Sequence, residues 1–253
     1  MDFTQLYETF NALENPSFWQ DAYMKFYKAW FYENRWTMYF DGLVTTVQVT
    51  IMALIIGVIL GVVVALVRTA HDQQRPGHRN PFLGLVNFVC KVYVTIIRGT
   101  PMMVQLLIMG LVIFASNRNK TLIGALSLGI NSGAYVAEII RGGLMSLDIG
   151  QTEAGRSLGL GYFDTMRFIV IPQAFKNILP SLGNEFITLF KDTSLVNTIG
   201  LTELTYRASR IAGVTFDYMP PYIGIAIMYL AVVIILTWFQ GKLERRLRQS
   251  DRR

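Results

Sequence analysis

Cysteine, histidine and charge are scarce in this chain of 253 residues. Its one cysteine, Cys90, cannot form an intrachain disulfide, and His71 with His78 is too few for a metal site without further ligands. No Ser/His/Asp set, metal cluster or opposed pair of carboxylates can be assembled, so the sequence offers no catalytic residue and no metal ligand. The Gly-x-x-x-x-Gly-Lys-Ser/Thr phosphate loop is missing too, and any nucleotide hydrolysis has to come from another polypeptide. No internal repeat is evident, which speaks against a single-chain transporter built from two inverted halves. The start, Met1-Asp-Phe-Thr-Gln, lacks a basic n-region followed by an apolar core, so no cleaved signal peptide is expected.

What the chain has is apolar length. Charged residues are 16% and hydrophobic ones 52%, with a mean hydropathy of +0.38. Crossing a hydrocarbon layer of roughly 30 Å takes about 20 helical residues. Gly42 to Val67 is free of charge, as is Met219 to Gln240, where Pro220 and Pro221 sit at the start and cost least. Shorter candidates are Pro101 to Ser116, Thr121 to Val136, and Pro172 to Phe190, the last broken by Lys176, Asn177, Asn184 and Glu185. Apolar positions are continuous instead of alternating, so these are helices and not barrel strands. Five crossings are expected. A net charge of +6 would suit nucleic acid, but the basic residues gather in short loops and in the tail Lys242-Leu-Glu-Arg-Arg-Leu-Arg248. That is the signature of cytosolic flanks, and no nucleic-acid partner is expected. Arg68, Arg75 and Arg79 follow the first run, and Arg141, Arg156 and Arg167 surround a polar segment at 148–165. Five crossings then place the N-terminus outside and the C-terminus in the cytosol, with Arg118, Lys120, Arg207 and Arg210 on the outer side.

Residues 1–40 are aromatic and carry mixed charge. Trp19, Tyr23, Phe26 and Trp30 recur at helical steps, with Asp21, Lys25, Lys28 and Arg35 on another face. This reads as an amphipathic helix in the headgroup plane, or alternatively as a partner-binding arm without lipid contact. Gly57-Val-Ile-Leu-Gly61 and Gly129-Ile-Asn-Ser-Gly133 have the spacing of close helix packing. Residues 81–116 are cut by Arg98-Gly-Thr-Pro101. They are read as one crossing, with Pro81–Ile97 riding near the cytosolic interface and Pro101 opening the span. Arg98 is either a snorkelling interfacial residue or part of a gate.

The polar segment reads Gln151-Thr-Glu-Ala-Gly-Arg-Ser-Leu-Gly159 and closes on Ile169-Val-Ile-Pro172. Its spacing resembles the EAA loop in the permease subunits of ABC importers. Five further stretches are similar to the branch importing polar amino acids: Gly42-Leu-Val-Thr-Thr-Val-Gln-Val-Thr50, Arg98-Gly-Thr-Pro101, Ser132-Gly-Ala-Tyr-Val-Ala-Glu-Ile-Ile-Arg141, Leu182-Gly-Asn-Glu-Phe-Ile187 and Lys191-Asp-Thr-Ser-Leu195. Gly155 and Ile171 depart from the usual alanine and leucine, and Gly155 is expected to loosen the loop helix by about 1 kcal/mol relative to alanine. The resemblance implies an all-α integral membrane protein with the type I importer fold over 41–248, its EAA loop at about 148–172, and a cytoplasmic tail at 249–253. It implies residence in a bacterial inner membrane. It also implies a second permease subunit, two cytosolic ATPases that use ATP and magnesium, an extracytoplasmic amino-acid-binding protein and an amino acid solute, with no cofactor held by this chain. The coupling contact would be Gln151, Glu153, Ala154, Gly155 and Gly159. Asp148 is placed to cap that helix, with Gln151 completing a capping box and Glu153 in the first turn.

A zwitterion crossing a low-dielectric layer needs a carboxylate for its ammonium and a cation or helix N-terminus for its carboxylate. The fourth span offers Asn184, Thr188 and Lys191 on one stripe, and Glu185, Thr188 or Leu189, and Asp192 on the next. Solute pathway and structural tie both fit Glu185 and Asp192. Asn131 and Ser132 form a second polar cluster, as pathway lining or interhelical glue. Glu138 and Arg141, three apart, are expected to brace a hinge or gate. The competing function is a secondary transporter or channel subunit that needs no ATPase.

Overall fold

The computed structural model describes residues 2–13, 15–74 and 80–250, and every regular element among them is helical. Arg75, His78 and Arg79, and residues 251–253 of the tail, lie outside the described residues.

The aromatic N-terminus folds as two helices, α1 (Phe3–Asn11) and α2 (Phe18–Trp30), where one was expected. Each start is fixed by a capping box, Asp2 with Gln5 and Ser17 with Gln20. The helices pair antiparallel through their rings: Tyr7 stacks on Tyr27 at 4.8 Å and Phe10 meets Tyr23 edge-on at 5.7 Å. A 3₁₀ turn, Tyr32–Asn34, with Glu33 and Asn34 at φ 51° and 56°, swings the chain into α3 (Arg35–Asp72). That helix has 38 residues and, at about 1.5 Å each, is longer than the hydrocarbon layer requires.

α3 runs parallel to α6 (Lys120–Met145), and the two glycine motifs form their seam. A Cβ on Gly57 would stand 3.0 Å from Ser132, and one on Gly129 would stand 2.7 Å from Ile56. Between these helices lie α4 (Pro81–Gly99) and α5 (Met102–Leu107), the latter continued by a π-helical stretch, Ile108–Ile113. Cys90, Tyr93, Val94 and Ile97 of α4 pack on Leu60, Val64, Ala134 and Ala137. Leu106 of α5 is buried with Val49, Ala53, Ile123 and Leu128, nearer the starts of α3 and α6. The two pieces therefore occupy successive levels and make one traverse between them. This corrects the expected division: Met102–Ile113 is too short to cross by itself, while α4 is long and apolar enough, with Val94 buried against α3 and α6.

After α6 come two short helices, α7 (Ile149–Ser157) and α8 (Tyr162–Thr165), and then α9 (Ile171–Asp192) returns antiparallel, with Ser146 bonded to Asn177 and Ser132 to Glu185. A 3₁₀ stretch, Thr193–Ile199, and α10 (Leu204–Thr215) lead to α11 (Met219–Ser250), which runs back along α9 from Tyr229 on Phe190 to Gln240 on Pro180. Alternating directions give five passes. Among the described residues four helical segments, Tyr32–Asp72, Pro81–Gly99, Lys120–Met145 and Met219–Leu247, are long and apolar enough to cross a membrane. The expected fourth span, α9, is not among them, because Lys176, Asn177, Asn184, Glu185 and Lys191 interrupt its apolar face.

Candidate functional site

The segment expected to make the coupling contact is α7 with the turn that follows it. Asp148 caps the helix, Oδ1 accepting from Gly150 N at 2.8 Å. The capping box does not form, because Gln151 Oε1 accepts from Gln173 Nε2 at 3.1 Å and ties α7 to α9. The helix ends where Leu160 N donates to Gly155 O at 3.1 Å and Gly159 N to Arg156 O at 3.0 Å, with Gly159 at φ 81°. This paired termination needs a left-handed residue, which glycine adopts without strain. Gly155 overturns its expectation. It is buried, and a Cβ there would stand 2.8 Å from Thr165 Cγ2 and 3.1 Å from Ile169 Cδ1, so glycine seats α7 on the next turn instead of loosening it. Glu153 and Ala154 are exposed, as are Ile149, Leu158 and Phe163. The exposed surface of α7 and its turn thus combines one carboxylate with apolar side chains. Tyr162 OH donates to Gln73 Oε1 at the end of α3. A cleft of about 730 Å³ separates α7 from the ends of α3 and α6, lined by Gln73, Met145, Thr152, Glu153, Arg156 and Tyr162.

The polar residues of the spans divide among separate surfaces. Ser132 Oγ donates to Glu185 Oε1 at 2.7 Å, joining α6 to α9. Asn131 Nδ2 donates to Gln105 Oε1 at 3.0 Å, and Gln105 Nε2 donates to the carbonyls of Ile97 at 2.8 Å and Thr100 at 3.1 Å. Gln105 therefore satisfies the backbone freed at the break between α4 and α5. Asn184 Oδ1 accepts from Gln240 Nε2 of α11 at 2.9 Å. Asn184, Thr188 and Lys191 are exposed along one side of α9, while Glu185 and Asp192 are half-buried on another. Lys191 lines a cleft of about 320 Å³ with Ser194, Thr205, Tyr222 and Tyr229.

Glu138 gathers three arginines. Arg68 Nη1 pairs with its Oε1, while Arg141 Nη2 at 3.4 Å and Arg98 Nη1 at 3.9 Å approach its Oε2. The Arg98 guanidinium also lies over the Tyr135 ring at 5.3 Å. Arg98, from the break between α4 and α5, thus joins the Glu138–Arg141 pair, and one carboxylate faces three cations. Beside it opens a cleft of about 690 Å³ between α6, α9 and α11, lined by Glu138, Ser146, Lys176, Asn177, Ser181 and Glu244.

Sequence reasoning missed Glu203. It is fully buried at the start of α10, accepting from Thr205 N at 2.8 Å, Tyr206 N at 2.7 Å and Tyr229 OH at 3.2 Å, with Thr46 Oγ1 at 3.5 Å. Burial pushes its carboxyl above the usual range, and the two backbone donors and Tyr229 pull it back. The signal was an acidic residue just before an amphipathic stretch, where a carboxylate meets unpaired N–H groups.

Residues 80–249 match the family described as binding-protein-dependent transport system inner membrane component. The arginine transport system permease protein ArtQ of Bacillus subtilis is 36% identical over 214 residues, covering 83% of this chain and 93% of the relative. The glutamine transport system permease protein GlnP of Escherichia coli K12 is 37% identical over 168 residues, 65% of this chain and 77% of the relative. A crystal structure of an amino acid ABC transporter with histidines superposes with a TM-score of 0.74 at 40% identity, covering 83% of this chain and 94% of that one. The methionine ABC transporter MetNI in an inward-facing conformation shares the fold alone, at a TM-score of 0.66 and 16% identity over 83% of this chain and 96% of that one. A traverse broken at Arg98-Gly-Thr-Pro101, a capped helix set off from the bundle and this likeness over most of the chain lead to one assignment: the chain belongs to the binding-protein-dependent transport system inner membrane component family, as an amino acid ABC transporter permease.

Proposed function

We propose that this chain is one membrane half of an ATP-driven importer of polar amino acids, coupled through α7 to a cytosolic ATPase. The observation that carries the reading is the build of α7. It is capped by Asp148, stopped by Gly159, seated by Gly155 and tied to α9 by Gln151, yet Glu153 and its apolar neighbours stay exposed, Glu153 and Ile149 beside the cleft that parts α7 from α3 and α6. Such a helix passes a push on its exposed surface to α6 and α9. Relatives named for arginine and glutamine transport support a polar amino acid as the solute. The α7 end then lies in the cytosol and the N-terminus outside, with a second permease, two ATPases and an extracytoplasmic binding protein completing the assembly. Asn184, Thr188 and Lys191, exposed on a helix that must sit in the membrane, face the solute path and the second permease. Glu138 with Arg68, Arg98 and Arg141 forms the cytosolic brace, and closing the adjoining cleft moves α9 against α6.

The test is uptake of labelled arginine and glutamine by the assembled transporter in vesicles, with ATP inside the ATPase compartment. Glu153→Ala and Gly159→Leu are expected to abolish most uptake while membrane insertion and solute-free stability stay normal. Unchanged uptake in both variants would remove α7 from the coupling role.

A further inference from the structure

We propose that the α1–α2 hairpin is a membrane-surface module whose free aromatic edge docks into the extracytoplasmic headgroup layer of the bilayer. The proposal rests on the N-terminus being outside. The hairpin has already used its other faces. Tyr23 and Tyr27 pack on α1, and Trp30 stacks on Tyr39 of α3 with ring centroids 4.1 Å apart and donates from Nε1 to the Pro220 carbonyl of α11 at 3.2 Å. Gly224 leaves the room for that ring, since a Cβ there would overlap it. The hairpin is therefore held at the ends of the first and last spans. What remains uncovered on α2 is Phe18 at 76% exposure, Trp19 at 79% and Phe26 at 48%, with Phe3 of α1 exposed as well.

Continuity argues for lipid as the occupant. Trp36, Phe40, Val44, Val47, Ile51, Ile55 and Ile59 of α3 are all exposed, at steps of three or four. They form an apolar stripe along a spanning helix that meets acyl chains. The hairpin extends it at the outer end, where Phe31 lies 6.1 Å from Phe26 and 6.0 Å from Phe3. Tryptophan, with an apolar body and a polar N–H edge, settles at the headgroup level, and Phe18 and Phe26 add apolar area beside Trp19. Charge argues against anionic lipid as the driving contact, because residues 2–41 hold six acidic and three basic residues. Docking should then depend on aromatic insertion and be indifferent to salt and lipid charge.

The experiment uses the assembled transporter with Cys90→Ser and single cysteines at Trp19, Phe26 or Glu8, all exposed or half-exposed sites, each carrying a nitroxide. Vesicles are phosphatidylcholine alone or mixed with phosphatidylglycerol. Collision rates with oxygen and with a water-soluble nickel chelate report depth. The expected result is a several-fold preference for oxygen at positions 19 and 26 over position 8, equal in both lipids and at high salt. A preference for nickel at all three positions overturns the proposal. So does shielding of 19 and 26 that appears only on adding the extracytoplasmic binding protein, which would make the edge a protein contact. A membrane-impermeant reductant added outside separates the two levels. Reduction of the position 8 nitroxide, with one at Gln151→Cys protected, upholds the orientation independently of depth; the reverse overturns the orientation itself.

Discussion

At one end of the bundle Gly42 brings α3 onto the backbone of α10, Glu203 ties Thr46 to Tyr229, and Trp30 bridges α3 to α11. At the other end Glu138 is shared by three arginines, α7 hangs on side-chain ties, and clefts of about 690 and 730 Å³ open between helices. The first end is held by backbone contact and buried hydrogen bonds around a smaller cleft of about 320 Å³, which leaves its helices little freedom. Long side chains around gaps have several arrangements, so the second end is built to rearrange. A transporter that changes access needs both: a fixed end to keep its helices in register and a yielding end to take up the stroke.

Three substitutions grade this contrast. Gly42→Leu should do most damage, because a Cβ there would stand 2.8 Å from Leu204 Cα and the backbone cannot step aside. A loss at or above about 1–3 kcal/mol is expected, read as a lowered thermal midpoint in detergent. Glu203→Ala comes next. It removes the α10 cap at about 1 kcal/mol and leaves the half-buried Tyr229 hydroxyl short of a partner at up to about 1–3 kcal/mol, partly relieved by Thr205 Oγ1 at 3.3 Å. Glu203→Gln should recover part of the loss. Gly142→Ala, at the yielding end, should do least and even stabilise by up to about 1 kcal/mol, since no atom outside its own turn lies within 4 Å. Equal midpoint shifts for Gly42→Leu and Gly142→Ala would erase the distinction between the ends.

What the sequence revealed of this design follows from the range of each interaction. Gly57, Gly61, Gly129 and Gly133 announced a seam because close packing needs small residues at a fixed local spacing. Asp148 and Gly159 marked the limits of α7, since caps are local chemistry. Gln151 and Gly155 were misread because their partners, Gln173 of α9 and Thr165 of α8, are set by how α7 folds back on the helices that follow it. The break at Arg98-Gly-Thr-Pro101 was visible, but not its closure by Gln105 and Asn131, which come together only when α4, α5 and α6 meet. Arg68 reaches Glu138 from 70 residues away, and nothing in either local pattern foretold the pair. The stripe on α9 was readable as helical spacing, yet the side chain of Glu185 is committed to Ser132 while Thr188 stays uncovered.

The seam between α3 and α6 has a mechanical corollary. Two parallel rods notched into each other at Gly57, Gly61 and Gly129 resist shear along their length, so they translate and tilt as a single beam. α9, antiparallel and joined to α7 through Gln151, would be the lever that this beam works against. On the proposed coupling through α7, a stroke arriving there would be shared between two bodies, and the machine would have fewer moving parts than membrane passes.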